Sequence, residues 1–218
     1  MLKLGVLASG RGSNFQSIID EIETGNLKAA VSLLVVDNQK AYAIDRAKKH
    51  RIEHLFMNPK DFAGKDAFFE AIAAELQRRS VELVILAGFM RIVRKPLIDA
   101  FPNRIMNIHP ALLPAFPGLH GQKQAVDYGA RISGCTVHFV DDGMDTGPVI
   151  IQAAVPVSPD DTEESLSERI LRMEHRIYPE AIRLYAEGRL RMEGRTVKIS
   201  GYELQNSAIA SPPLRGEP

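Results

Sequence analysis

An amide, an imidazole and a carboxylate are the side chains of this sequence best suited to chemistry. Asn107 and His109 stand two residues apart at the end of the apolar run Ile105 to Ile108, so a strand there would project both onto one face. Asp145 lies further on, in the loop Asp141-Asp142-Gly143-Met144-Asp145-Thr146-Gly147-Pro148. Together the three would provide a hydrogen-bond donor, a proton-handling ring and a carboxylate to orient that ring, the parts needed for transfer at a carbonyl. Taken singly they read more plainly: Asn107 ends a strand, His109 precedes a turn made by Pro110, and Asp145 stabilises a Gly-rich loop. Their meeting is a demand on the fold, because His109 and Asp145 are distant in sequence.

A second kind of chemistry is suggested by Gly10-Arg11-Gly12-Ser13-Asn14, which follows an apolar run and precedes Phe15, Ile18, Ile19 and Ile22 at helical spacing. Free amides at such a strand-turn-helix junction bind phosphate. The third glycine of a dinucleotide fingerprint and the Lys-Ser/Thr ending of a Walker loop are both missing. A cradle for one phosphate monoester therefore fits better than NAD or ATP, and the plain alternative is a tight turn with a Ser or Asn cap. Gly88-Phe89-Met90-Arg91-Ile92-Val93 is an apolar loop with one charge, suited either to lining a pocket for a flat heteroaromatic ring or to packing on the next helix. His138, His120 and Cys135 read as strand or loop structure. Glu174-His175 falls mid-helix, by default a solvated pair unless that helix passes the pocket.

The elements that must position these groups alternate. Leu4 to Ala8, Val31 to Val36, the short Leu55-Phe56, Val81 to Ala87 and Ile105 to Ile108 read as strands, with helices after Asn14, around Ala41 to His50 and over Lys65 to Arg79, the last burying Phe68, Phe69, Ile72 and Leu76. Nearly continuous apolar strands between helices imply an α/β fold, an open and mostly parallel twisted sheet with helices on both faces. Ligands of such sheets sit beyond the carboxyl ends of the strands, where Ser9 to Asn14, Gly88 to Val93 and Asn107 to Pro114 should converge. The second half changes character. Cys135 to Val140 and Val149 to Val157 suggest an antiparallel portion around an acidic loop too long for a tight hairpin. A long helix opens at Asp161-Thr162-Glu163-Glu164 and is expected to break at Pro179 before ending near Glu187; Leu190 to Ile199 suggests a short hairpin.

At 218 residues and 45% hydrophobic content, one domain over 1–205 with a loose tail over 206–218 is expected. Lys plus Arg (27) equals Asp plus Glu (27), with no basic stripe interleaved with aromatics, which argues against nucleic-acid partners. One cysteine allows no internal disulfide and no zinc framework. No apolar run approaches the roughly 20 residues of a membrane span, and Met1-Leu2-Lys3 leads straight into a strand without the marks of a signal peptide, so a cytoplasmic place is expected.

Five segments occur in an order that adds a resemblance: Gly-x-Gly-Ser-Asn at 10–14, Leu-Ala-Gly-Phe-Met-Arg at 86–91, Asn-Ile-His-Pro-Ala-Leu-Leu-Pro at 107–114, Phe-Pro-Gly-Leu-His at 116–120 and Met-Asp-Thr-Gly-Pro-Val-Ile at 144–150. Over roughly residues 2–190 the chain resembles the phosphoribosylglycinamide formyltransferases, the folate-dependent glycinamide ribonucleotide transformylases of purine biosynthesis. The resemblance implies formyl transfer from 10-formyltetrahydrofolate, as co-substrate, to the amine of 5'-phosphoribosylglycinamide, without a metal. It makes Asn107, His109 and Asp145 catalytic, and puts Gly12, Ser13, Asn14, Pro110 and Glu174 on the ribonucleotide. Met90, Arg91, Ile92 and Val93 would hold the pterin. Lys65 stands where some members carry Arg, on the side of the phosphate or of the folate's glutamate tail. The resemblance leaves the oligomeric state open. A 10-formyltetrahydrofolate hydrolase of the same superfamily and a non-catalytic folate- or nucleotide-binding module are the competing readings; the tRNA-formylating enzymes resembled carry a further carboxyl-terminal domain.

Overall fold

The apolar runs of the sequence assemble, in a computed structural model describing residues 1–203 and 210–211, into one seven-stranded sheet. In chain order the elements are β1 (Leu2–Ala8), α1 (Ser13–Glu23), β2 (Ala29–Val36), α2 (Ala43–Lys49), β3 (His54–Phe56), α3 (Lys65–Arg78), β4 (Leu83–Leu86), α4 (Lys95–Ala100) and β5 (Ile105–His109). They continue with α5 (Gly121–Tyr128), β6 (Ile132–Phe139), β7 (Val149–Pro156), α6 (Glu163–Ala186), β8 (Leu190–Glu193) and β9 (Thr196–Ile199). The sheet runs β3-β2-β1-β4-β5-β6-β7, with the first five strands mutually parallel and β6 and β7 antiparallel. Strand order reverses between β1 and β4. That switch point is where a parallel sheet opens a crevice for ligands.

Both faces of β1, β2, β4 and β5 are mostly buried, while the edge strand β3 is largely exposed, and the buried residues divide by alternation. Leu4, Val6, Leu34, Val36, Leu83, Ile85, Met106 and Ile108 face α1, α2 and α6. Leu7, Leu33, Val35, Val84, Leu86 and Ile105 face α3 and α4, through Phe68, Phe69, Ile72, Leu76, Leu97 and Phe101. Removing this much apolar surface from water is the main force holding helices to sheet, about 1.5–3 kcal/mol for each fully buried large side chain. Tyr178 of α6 is fully buried, its hydroxyl 3.0 and 2.9 Å from the carbonyls of Leu86 and Met106, so this helix is pinned across β4 and β5 by a polar contact as well.

One expectation changes. α6 runs unbroken through Pro179, although a proline removes one helical N–H and crowds the carbonyl four residues back. Ile177, Tyr178, Pro179, Ala181 and Ile182 are all buried on the sheet, and that packing holds the axis across the defect. α4 and α5, short at 6 and 8 residues, carried too little periodicity to stand out in the sequence. The tail expected over 206–218 lies almost wholly outside the described residues. The hairpin of β8 and β9 forms as a separate two-stranded sheet.

Candidate active site

The glycine-rich loop opens from the carboxyl end of β1. Gly12 caps α1 in the left-handed conformation (φ 66°), and an added Cβ would lie 2.8 Å from that of Ala43, so only glycine sits here without strain. α2 braces the loop from behind: the Ala43 amide donates to the Gly10 carbonyl (3.1 Å), and Arg46 donates through Nε to the Arg11 carbonyl (2.9 Å). Ser13 begins the helix, where backbone amides lack helical acceptors. Asn14 is buried and donates to Glu174 of α6 over 2.7 Å, while its Oδ1 has no protein partner among the described residues. Glu174 is not the solvated residue its mid-helix place suggested. It is only 7% exposed, and burial raises its carboxyl above the usual range, opposed by the Asn14 hydrogen bond.

Across the switch point, the second loop meets the first. Ser9 donates through its amide to the Gly88 carbonyl (3.0 Å), and its hydroxyl accepts from the Met90 amide (2.9 Å). Met90 and Ile92 remain exposed while Phe89 and Val93 are buried, so the strip presents alternate apolar side chains outward. Arg91 pairs with Asp37, at the end of β2, and is held there. Lys65 is exposed in the first turn of α3, beside Asp66, which pairs with Arg94 just past the strip at 3.0 Å.

β5 ends in the amide and imidazole singled out from the sequence. Asn107 and His109 share a face, opposite His138 and Thr136 of β6 in the antiparallel ladder. The loop between β6 and β7 returns Asp145 to them: its Oδ2 is 3.4 Å from His109 Nδ1, and its Oδ1 is 3.7 Å from His138 Nε2. His109 is 4% exposed, and its Nε2 lies 2.8 Å from the Phe116 carbonyl. Both ring nitrogens of His109 thus face oxygens, and only the doubly protonated ring can donate at both. Asp145 Oδ2 also accepts the Gly118 amide (2.8 Å). Asp145 itself takes a left-handed backbone (φ 56°), a conformation that Asp tolerates better than most side chains.

His138, read from sequence as structural, belongs to this cluster. Its Nδ1 lies 2.8 Å from the Phe139 carbonyl and its Nε2 3.2 Å from the Asn107 amide nitrogen. The neutral ring protonated at Nδ1 satisfies both contacts, and burial pushes His138 below the usual histidine range, in the same direction. The signal that could have found it was its place seven residues before Asp145 on a strand that must pair with β5. His120 is exposed and precedes α5, and Cys135 is fully buried, its thiol pushed up to about 12 by desolvation. A concavity of about 500 Å³ between α1 and α6, lined in part by Glu21, His175 and Glu180, includes none of Asn107, His109 or Asp145. Convergent polar groups mark the site better than volume does. Among the described residues no group of three or more His, Cys, Asp or Glu side chains is placed to hold a metal ion.

A glycine-rich loop and an amide-imidazole-carboxylate cluster at the carboxyl edge of one open sheet are the arrangement expected of a group-transfer enzyme of the α/β class. The chain belongs to the formyl transferase family, whose pattern matches residues 2–182. It is 44% identical over 183 residues to the phosphoribosylglycinamide formyltransferase of Bacillus subtilis, covering 84% of this chain and 94% of that one. It is 37% identical to the enzyme of the same name from Escherichia coli, over 96% of this chain and 99% of that one. Its structure superposes with a TM-score of 0.90 on glycinamide ribonucleotide transformylase 1 from Symbiobacterium toebii, 53% identical, covering 91% of this chain and 94% of that one.

Proposed function

We infer that the chain is a phosphoribosylglycinamide formyltransferase of purine biosynthesis, moving a formyl group from 10-formyltetrahydrofolate to the amine of 5'-phosphoribosylglycinamide. The observation that carries the reading is the convergence of Asp145 on His109, with Asn107 on the same strand face, in a chain so similar along its length to enzymes of that name. The amine attacks the formyl carbon, a C–N bond forms, and a tetrahedral oxyanion collapses with loss of the folate N10. One proton leaves the attacking nitrogen and one reaches N10. Asn107 and His109 are assigned to the oxyanion, with Asp145 stabilising the imidazolium and passing the proton. His109 Nε2 rests on the Phe116 carbonyl, so donation to the oxyanion requires exchange of that acceptor.

The amides of Gly12, Ser13 and Asn14 suit the substrate phosphate, and Glu174 with Asn14 Oδ1, which has no partner among the described residues, suits the ribose hydroxyls. The strip Met90 to Val93, with Met90 and Ile92 outward, suits the pterin, Arg91 being fixed in place by Asp37, and the exposed Lys65 suits an anionic tail. Both substrates are small molecules, and no described helix is long and apolar enough to cross a membrane; the expected place of action is the cytoplasm. The test is stoichiometric. Folate consumption should depend strongly on added 5'-phosphoribosylglycinamide, with one formylated amine per tetrahydrofolate. Formate released at the same rate without the amine would make the protein a hydrolase, and tight folate binding with neither product a binding module.

A further inference from the structure

The ladder register sets a row of three side chains across the antiparallel part of the sheet: His109 of β5 opposite Thr136 of β6, and Thr136 opposite Gln152 of β7. Thr136 is fully buried, and its hydroxyl is used to capacity. It donates to the Ala111 carbonyl (2.7 Å) and accepts from the Leu113 amide (3.0 Å) and from Gln152 Nε2 (3.0 Å). Gln152, closing the row on the solvent side, also donates to the Leu113 carbonyl at 2.9 Å. These four bonds anchor the segment that leaves β5 directly after His109. From that anchor the chain turns, the Ala115 amide donating to the Leu112 carbonyl (2.9 Å), and comes back to the ring it started from. The Phe116 carbonyl then meets His109 Nε2, and the Gly118 amide donates to Asp145. One anchored segment thus supplies an acceptor to the imidazole and a donor to the carboxylate.

We propose that Thr136 and Gln152 are positioning residues: by clamping Ala111 and Leu113 they set segment 110–118, and through its Phe116 carbonyl and Gly118 amide they fix the distance and orientation between His109 and Asp145. Neither reaches the reacting atoms. The assignment rests on the formyl-transfer reading of this site. It makes a demand that a purely structural hydroxyl does not: loosening the clamp must disturb proton handling by the His109-Asp145 pair and leave the contacts of the Gly12 loop and of the Met90 to Val93 strip, which lie on other segments, in place.

The experiment compares Thr136→Val, which keeps shape and removes the hydroxyl, with Thr136→Ser, which restores it, and with Gln152→Leu, each purified as the full chain and scored for folded fraction by thermal melting. Displacement of catalytic groups by about 1 Å costs roughly 100-fold. Thr136→Val is therefore expected to lose about ten- to hundred-fold in kcat per folded molecule. KM for both substrates should stay within about three-fold, the pH profile of kcat should move, and Thr136→Ser should recover most of the rate and the original profile. Gln152→Leu, which leaves the buried hydroxyl intact and so spares the fold, should show the same pH displacement with a smaller loss. A Thr136→Val enzyme with unchanged kcat and pH profile would overturn the proposal, as would a loss that follows the folded fraction alone or appears only in KM. If Thr136→Val does not fold, Gln152→Leu decides, and an unchanged pH profile there overturns it. Absence of transfer in the unsubstituted enzyme would instead strike at the reaction itself.

Discussion

Asn107 and His109 lie on one strand face, with Asp145 3.4 Å from the ring of His109, and they act in the proposed reaction on charge that exists only in the transition state. Substituting either by alanine should leave both substrates able to bind, by calorimetry, while kcat falls by about two orders of magnitude or more. Near-normal turnover in both variants would remove them from the mechanism, and a loss confined to binding would make them substrate contacts. At this scale the sequence exposed the residues whose types are unusual for their setting: an amide and an imidazole closing an apolar strand, and a glycine-rich turn before a helix. His138 and Glu174 were not visible in this way. Each sits in a run that reads as ordinary strand or ordinary helix, and each takes its meaning from one long-range partner, Asn107 for the first and Asn14 for the second.

The loops at the carboxyl edge of the sheet work because their backbones are forced into single shapes. Gly12→Val would put a branched side chain at φ 66° against Ala43 and move the amides of the α1 amino end. Its KM for 5'-phosphoribosylglycinamide should rise roughly ten-fold or more, the equivalent of losing about 1.4 kcal/mol of binding, with the KM for folate nearly constant. Equal use of the dephosphorylated riboside by the unsubstituted enzyme would show that the loop is merely a turn. Gly147 is a sharper case, since an added Cβ would lie 1.8 Å from the Phe139 carbonyl, part of the backbone of β6. The loop must shift, and Asp145 two residues earlier shifts with it. Gly147→Ala should therefore lose about ten-fold or more in kcat while the folate KM holds, measured in steady state on folded protein. Full activity would mean that Asp145 is placed independently of the loop's exit.

The molecule as a whole carries its buried titratable groups in opposite directions, and stability should follow pH accordingly. Burial lowers His138 and, with Arg46, His175 relative to about 6.5, so an unfolded chain takes up protons there that the native one refuses; their stabilisation is complete above that pH and lost as pH falls through the folded values. Glu174 is raised, so its contribution is present below about 4.5 and declines as pH climbs through the folded value. As pH falls from about 7.5 to about 5 the histidines lower the urea midpoint and Glu174 raises it, so the change in midpoint over that range should be less negative in His138→Gln, which has no ring to protonate, than in the unsubstituted protein; identical slopes would show that His138 is not a source of acid lability. The sequence by itself determined the α/β alternation, the two-faced burial of the parallel strands, the loop that opens α1 and the identity of the groups at the end of β5, because hydrophobic periodicity and turn chemistry are local properties of the chain. It also led one expectation astray, at Pro179, where the local cost of a proline is outweighed by burial of α6 on the sheet. Tertiary structure alone decided that Asp145 returns to His109, that α6 brings Glu174 to Asn14, and that Thr136 and Gln152 stand in line with His109. Those are matters of strand order and register, and they are fixed only when distant segments bury their faces against one another.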